Sequence, residues 1–215
     1  MIINKKDIEY KQVQNSWIEI TKYKLDRIKN LTIPEKIDNK TVISIGGAAF
    51  SRCWIRTLNL PNKLKAIKKH AFSWNSIQTI NLPKSLEFLG EYSFYNNKIE
   101  KITFNKKLNF LGQWALKKNN LSSLSLPNKI SIIPTKLTQT NPNLKVVKLP
   151  DSLKKIEVFA FEWCPVHTFH KAFNRMEIEK NICQKTLWNN EKVLLKELEK
   201  KPKKKKVTIS VKNLV

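Results

Sequence analysis

The sequence predicts an α/β repeat architecture: a solenoid of about six coils of about 22 residues, with a β-hairpin cap in front and a helical cap behind. Three observations carry this reading. A phrase recurs at a fixed period through residues 31–170, a polar ladder runs in register with it, and the phrase stops at both ends. One copy reads Leu58, Leu60, Pro61, Leu64, Ile67, Ala71-Phe72, Asn75 and Ile77. The next reads Ile80, Leu82, Pro83, Leu86, Leu89, Ser93-Phe94, Asn97 and Ile99, and a third Ile102, Phe104, Leu108, Leu111, Ala115-Leu116, Asn119 and Leu121. A degenerate copy follows with Leu124, Leu126, Pro127, Ile130, Ile133, Leu137 and Asn141. The last runs Val147, Leu149, Pro150, Leu153, Ile156, Ala160-Phe161, Cys164 and Val166. An opening copy spans Leu31, Ile33, Pro34, Val42, Ile45, Ala49-Phe50, Cys53 and Ile55.

The elements follow in order. Residues 1–30 alternate well enough for a hairpin, with Trp17, Ile18, Ile20 and Tyr23 as its apolar positions. Each coil then opens with a short strand, apolar at alternate positions (Leu58/Leu60, Ile80/Leu82), so these side chains point inward and their neighbours outward. Pro61, Pro83, Pro127 and Pro150 end the strand and turn the chain; Asn105 holds that place in one copy. A Leu-x-x-Ile element and a small-large pair fill the space between coils. In the return turn Cys53, Asn75, Asn97, Asn119, Asn141 and Cys164 fall at intervals of 22, 22, 22, 22 and 23. A buried turn leaves backbone groups that need partners; Asn supplies them and Cys is a small substitute, so the two cysteines read as structural. Residues 171–199 carry Phe173, Met176, Ile178, Ile182, Leu187, Trp188, Val193, Leu194 and Leu198 without Pro or Gly, which predicts a helical C-terminal cap. Residues 200–215 form a basic tail with a possible final strand at Val207, Ile209 and Val211.

The residues also resemble a known family. The opening segment Leu31–Phe50, the later Leu-Pro-x-x-Leu-x-x-Ile and Ala-Phe elements, and the upstream Asp7-Ile8-Glu9-Tyr10 and Trp17–Tyr23 are similar to BspA-like leucine-rich repeat proteins, over about residues 7–170. The resemblance implies a leucine-rich repeat solenoid that acts as a binding module, commonly on the cell surface or secreted. This chain departs from that pattern in its basicity and in showing no export signal at its start.

Charge is the second strong signal. The formal net charge is +24 over 215 residues. Residues 31–169 alone carry 21 basic and 8 acidic side chains, so the repeat body is basic on its own account. Such a field favours acidic partners. The bland reading is that an AT-rich genome produces the same richness in Lys, Ile and Asn. The repeat places Lys36, Lys63, Lys84, Lys107 and Lys129 just past the turn prolines, and Lys101 and Lys148 on the outward side of strands. Trp54, Trp74, Tyr95 and Trp163 read as an aromatic file at the return turns, a residue type common at interfaces and on single-stranded nucleic acid. The run containing Lys203, Lys204, Lys205 and Lys206 reads as a solvated linker, an anion-binding arm or a nuclear-import signal.

No catalytic constellation is present. His70, His167 and His170 lack the spacing of a triad or a metal pair, and four glycines make no phosphate cradle. No cofactor or metal is expected, and no run of 18 apolar residues spans a membrane. The expectation is a non-enzymatic recognition module presenting a basic solenoid face to an acidic protein or nucleoprotein complex, as an inhibitor or adaptor. Two alternatives stay open: a cell-surface or secreted adhesion protein, and a direct sequence-independent nucleic-acid binder. The expected location is cytoplasmic, or surface/secreted where the native gene carries an upstream signal.

Overall fold

The computed structural model describes residues 1–171, 177–178 and 207–210. Each coil has three sides. The first is a strand of three residues. Asn30–Thr32, Thr57–Asn59, Thr79–Asn81 and Lys101–Thr103 stack in parallel. Ser123–Ser125, Val146–Lys148 and Thr168–Lys171 resume the stack, and Val207–Ser210 joins it antiparallel. The second side is a strand of two residues: Ala66–Ile67, Phe88–Leu89 and Phe110–Leu111, then Ile132–Ile133, Lys155–Ile156 and Glu177–Ile178. In the opening coil this side is longer, Lys40–Ile45, and a two-residue turn at Asp38 and Asn39 (φ 54° and 58°) folds Lys36–Ile37 back on it. Asp and Asn tolerate that left-handed geometry. The N-terminal hairpin, Ile8–Gln14 with Trp17–Tyr23, adds its inner strand in parallel to Lys40–Ile45 and so caps the second side.

The third side is built from turns, and it overturns the α/β expectation. Among the described residues there is no α-helix, and Lys5–Asp7 forms a single 3-10 turn. The reason is local. Each coil places two residues, four apart, in the left-handed region: Ala48 and Arg52, His70 and Trp74, Tyr92 and Asn96, Trp114 and Lys118, Lys136 and Thr140, Phe159 and Trp163. A helix cannot propagate through such positions, each of which costs about 1–2 kcal/mol for a residue with a Cβ. The compensation is hydrogen bonding between coils. His70 N–H donates to Glu91 C=O, Phe72 to Ser93 and Trp74 to Tyr95, while Ser73 N–H turns back to His70 C=O within its own coil.

The expected helical cap also needs correction where it can be seen. Glu177–Ile178 lies inside residues 171–199 and is a strand paired with Lys155–Ile156, so stacking continues past residue 170. Residues 172–176 and 179–199 of the expected cap, and the lysine run at 200–206, lie outside the described residues.

Phe50, Phe72 and Phe94 are fully buried and stacked, with centroids 5.5 Å apart and planes 9° off parallel. Burying each such ring is worth about 1.5–3 kcal/mol. The degenerate copy has Thr138 at this position; its Oγ1 donates to Ala160 C=O at 3.1 Å, and Leu137 takes the small residue's place. A seam accompanies this copy. Both walls end a sheet at the fourth coil and restart at the fifth. At equivalent positions Gly46 donates its N–H to Ile20 C=O of the hairpin, and Lys68, Gly90 and Gly112 each donate theirs to the preceding coil. Pro134 occupies the fifth position and has no N–H to give.

Candidate functional site

The polar ladder is part of the scaffold. Asn75, Asn97, Asn119 and Asn141 are buried, and each does the same work. Asn119 Oδ1 accepts from Ile99 N–H at 3.0 Å, and its Nδ2 donates to Phe94 C=O at 2.9 Å and Leu116 C=O at 3.1 Å. Neighbouring rungs share carbonyls: Phe94 C=O also accepts from Asn97, and Leu116 C=O from Asn141. Cysteine appears where the rung has no N–H to serve. Ile28 N–H finds Cys53 C=O, and Leu144 N–H finds Asn141 C=O through the extra residue of that turn. Cys164 Sγ then needs only to donate, to Thr138 C=O at 3.0 Å. Burial pushes both thiols up to about 11, so neither is a thiolate at neutral pH.

The turns that join the first side to the second carry the strongest charge. Residues 59–65, 81–87, 103–109 and 125–131 hold Lys63, Lys65, Lys84, Lys106, Lys107 and Lys129 against one carboxylate, Glu87. The local fold presents them outward. Pro61, Pro83 and Pro127 carbonyls close each turn by accepting from Leu64, Leu86 and Ile130 N–H. Where Asn105 replaces proline, its Oδ1 accepts from Lys107 and Leu108 N–H, and its Nδ2 reaches back to Pro83 and Leu86 carbonyls. Lys36, Lys63, Lys84, Lys107 and Lys129 are all exposed, and among the described residues none of them forms a salt bridge. The single line read from the sequence is in fact two. Lys63, Lys107 and Lys129 share a register with Ser85 between them; Lys84 and Lys106 occupy the adjoining one. Lys36 lies on the fold-back strand of the opening coil. Lys101 and Lys148 are exposed on the first wall but in different registers, one beside Thr79 and the other beside Ser125. Lys203, Lys204, Lys205 and Lys206 lie outside the described residues. A shallow groove of about 530 Å³ runs along this edge between Asn59, Asn62, Asn81 and Lys84.

The aromatic residues do not form one file. Trp74 and Trp163 share a register, Tyr95 belongs to its neighbour, and Trp54 lies two residues further along the turn. Trp54, Trp74 and Trp163 are 61%, 43% and 48% exposed. Arg27 lies 5.0 Å above the Trp54 ring and Arg52 5.5 Å above Trp74, whose other contact is the edge of Tyr95 at 5.4 Å. A second aromatic file escaped the sequence reading. His70, Tyr92 and Trp114, all left-handed, stack at 4.5 and 4.7 Å with planes about parallel. Burial, then Lys69, holds His70 below its ordinary pKa. These rings spend their faces on one another, so the file stiffens the turn side.

A third feature was also missed. On the outward side of the second wall, Ala66, Phe88, Phe110 and Ile132 follow one another at the repeat interval. Phe88 and Phe110 stack at 4.5 Å, 4° from parallel. Phe110 is 44% and Ile132 47% exposed. The 22-residue spacing of these residues was the available signal; reading Leu86/Leu89 and Leu108/Leu111 as the core pairs hid it. Beside them the seam opens a cleft of about 300 Å³, lined by Leu111, Gly112, Ile130, Pro134, Glu91 and Glu157.

Among the described residues no three His, Cys, Asp or Glu side chains gather to hold a metal, and no helix is long and apolar enough to cross a membrane. Stacked short strands, a buried asparagine ladder and wide exposed faces define a leucine-rich repeat solenoid, a scaffold suited to protein–protein interaction. The chain belongs to the BspA type leucine rich repeat family, whose sequence profile matches residues 16–139 and 66–188 in six copies. Its fold is similar to the leucine-rich repeat protein of T. pallidum, at a TM-score of 0.72 and 22% identity, covering 94% of this chain and 98% of that one. It is also similar to a leucine-rich repeat protein from Bacteroides ovatus, at a TM-score of 0.57 and 18% identity, covering 75% of this chain and 56% of that one. No curated protein matches the chain significantly.

Proposed function

We propose that this protein is a non-enzymatic recognition module that binds an acidic macromolecule along its lysine-lined turn edge. The observation that carries this reading is the edge itself: six lysines against one carboxylate over four coils. Repetition at the separation of neighbouring strands, about 5 Å, sets these charges in lines suited to an extended anionic surface. An acidic protein or nucleoprotein complex, held by an inhibitor or adaptor working inside the cell, fits that chemistry. The test is a pull-down from host lysate with and without nuclease, using wild type and K63E/K107E/K129E. A protein partner that survives nuclease and is lost with the triple reversal supports the reading. Recovery abolished by nuclease assigns the edge to nucleic acid itself, and recovery unchanged by the reversal overturns the edge as the binding surface.

A further inference from the structure

We propose that the apolar stripe on the second wall is a self-complementary surface that pairs two copies of this chain. The stripe is a ridge and a hole side by side. The stacked Phe88 and Phe110 rings form the ridge over the third and fourth coils, and the seam beside Pro134 forms the hole between the fourth and fifth. A two-fold axis lying along the strand direction at the fourth coil reverses the order of the coils and keeps each position along the strand. It therefore sets the ridge of each copy over the hole of the other, which is the requirement of an isologous interface.

On the flank past the wall strand the charges obey the same operation; before the strand Glu87 meets Lys129 of the second copy, while Lys107 meets its own copy. Residues one to three past the wall strand carry Lys69 in the second coil, Glu91 in the third, Lys136 in the fifth and Glu157 in the sixth. Within one chain Lys69 pairs with Glu91 at 2.9 Å and Glu157 accepts from Thr135; reversal about the fourth coil adds Lys136 of the second copy opposite Glu91, and its Glu157 opposite Lys69. Had the two ends carried the same sign, the operation would have set like charges together. The stripe is separate from the lysine edge, so either reading stands without the other.

The experiment is sedimentation velocity on the full chain across the micromolar range. Wild type is expected to pass from the 25.2 kDa monomer to twice that mass as concentration rises. F110D and I132D, each at an exposed site, are expected to weaken association by about 30-fold or more, the loss typical of a central apolar contact. E91K is expected to weaken it and E91K/K136E to restore it. Salt is a further discriminator. Two chains of charge +24 repel, so dimer formation should strengthen from low to moderate salt, whereas binding of an acidic partner weakens. K63E/K107E/K129E should leave the dimer intact. A wild type that stays monomeric throughout, or F110D and I132D proteins that associate as wild type does, overturns the proposal.

Discussion

Replacing Asn119 by alanine tests how the solenoid is held together. Truncation leaves Ile99 N–H buried with no acceptor, because Asn119 Oδ1 is its partner at 3.0 Å. An orphaned buried donor costs about 1–3 kcal/mol. The two carbonyls fare better. Phe94 C=O keeps Asn97 and Leu116 C=O keeps Asn141, so each loses one of two bonds, at about 0.5–1.5 kcal/mol apiece. The expected loss is about 2–6 kcal/mol. It would be read as a shift in the urea midpoint followed by circular dichroism, with exposed Asn109→Ala as the control. Asn119→Cys should lose nearly as much, because Ile99 N–H lacks the backbone acceptor that Ile28 and Leu144 enjoy next to the native cysteines. A loss under about 0.5 kcal/mol, the size of an ordinary surface substitution, would refute the ladder as a stabilising element.

Two further outcomes follow from close geometry and charge. At Gly112 an added Cβ would stand 2.3 Å from Glu91 N and 2.5 Å from Gly90 C, both backbone atoms that cannot swing aside. Gly112→Ala is expected to cost about 1–3 kcal/mol or more in thermal or urea unfolding, while Gly47→Ala, whose nearest neighbour is Lys69 C=O at 3.5 Å, stays neutral. Glu19 is a buried carboxylate under the hairpin. Burial pushes its pKa up, but hydrogen bonds from Lys68 (2.6 Å), Ser44 (3.0 Å) and Lys11 (3.3 Å) outweigh it and hold the group below its ordinary 4.5. A folded-state pKa below the unfolded one adds stability that is full above 4.5 and drains as pH falls through the depressed value. Stability measured from pH 7 down to pH 3 should therefore fall less steeply in Glu19→Gln than in wild type, and the variant should start about 2 kcal/mol lower at pH 7.

How much of this was legible beforehand depends on what sets each feature. Repeat length, inward strand positions and ladder spacing were readable because one physical demand recurs in every coil: bury an apolar side chain, satisfy a turn. The absence of α-helix on the third side was not, since left-handed geometry at residues such as His70, Tyr92 and Trp114 carries no glycine signature. Backbone bonding between coils stabilises it, and that appears only once the coils are stacked. The lysine edge was legible as composition, but its split into two registers required alignment coil by coil. Phe88, Phe110 and Ile132 were overlooked because an apolar residue next to a core leucine reads as core; the alternation of a two-residue strand turns it outward instead. The seam likewise needed the structure, because Pro134 matters only as the fifth member of a series of backbone donors.

The central claim is that the lysine edge recognises an acidic partner. Its most direct test is the salt dependence of affinity for a fluorescently labelled polyglutamate chain, measured by anisotropy for wild type and K63E/K107E/K129E in parallel. The account predicts affinity that falls steeply with ionic strength in wild type and is lost in the triple reversal. Affinity indifferent to salt, or equal in the two proteins, would contradict it.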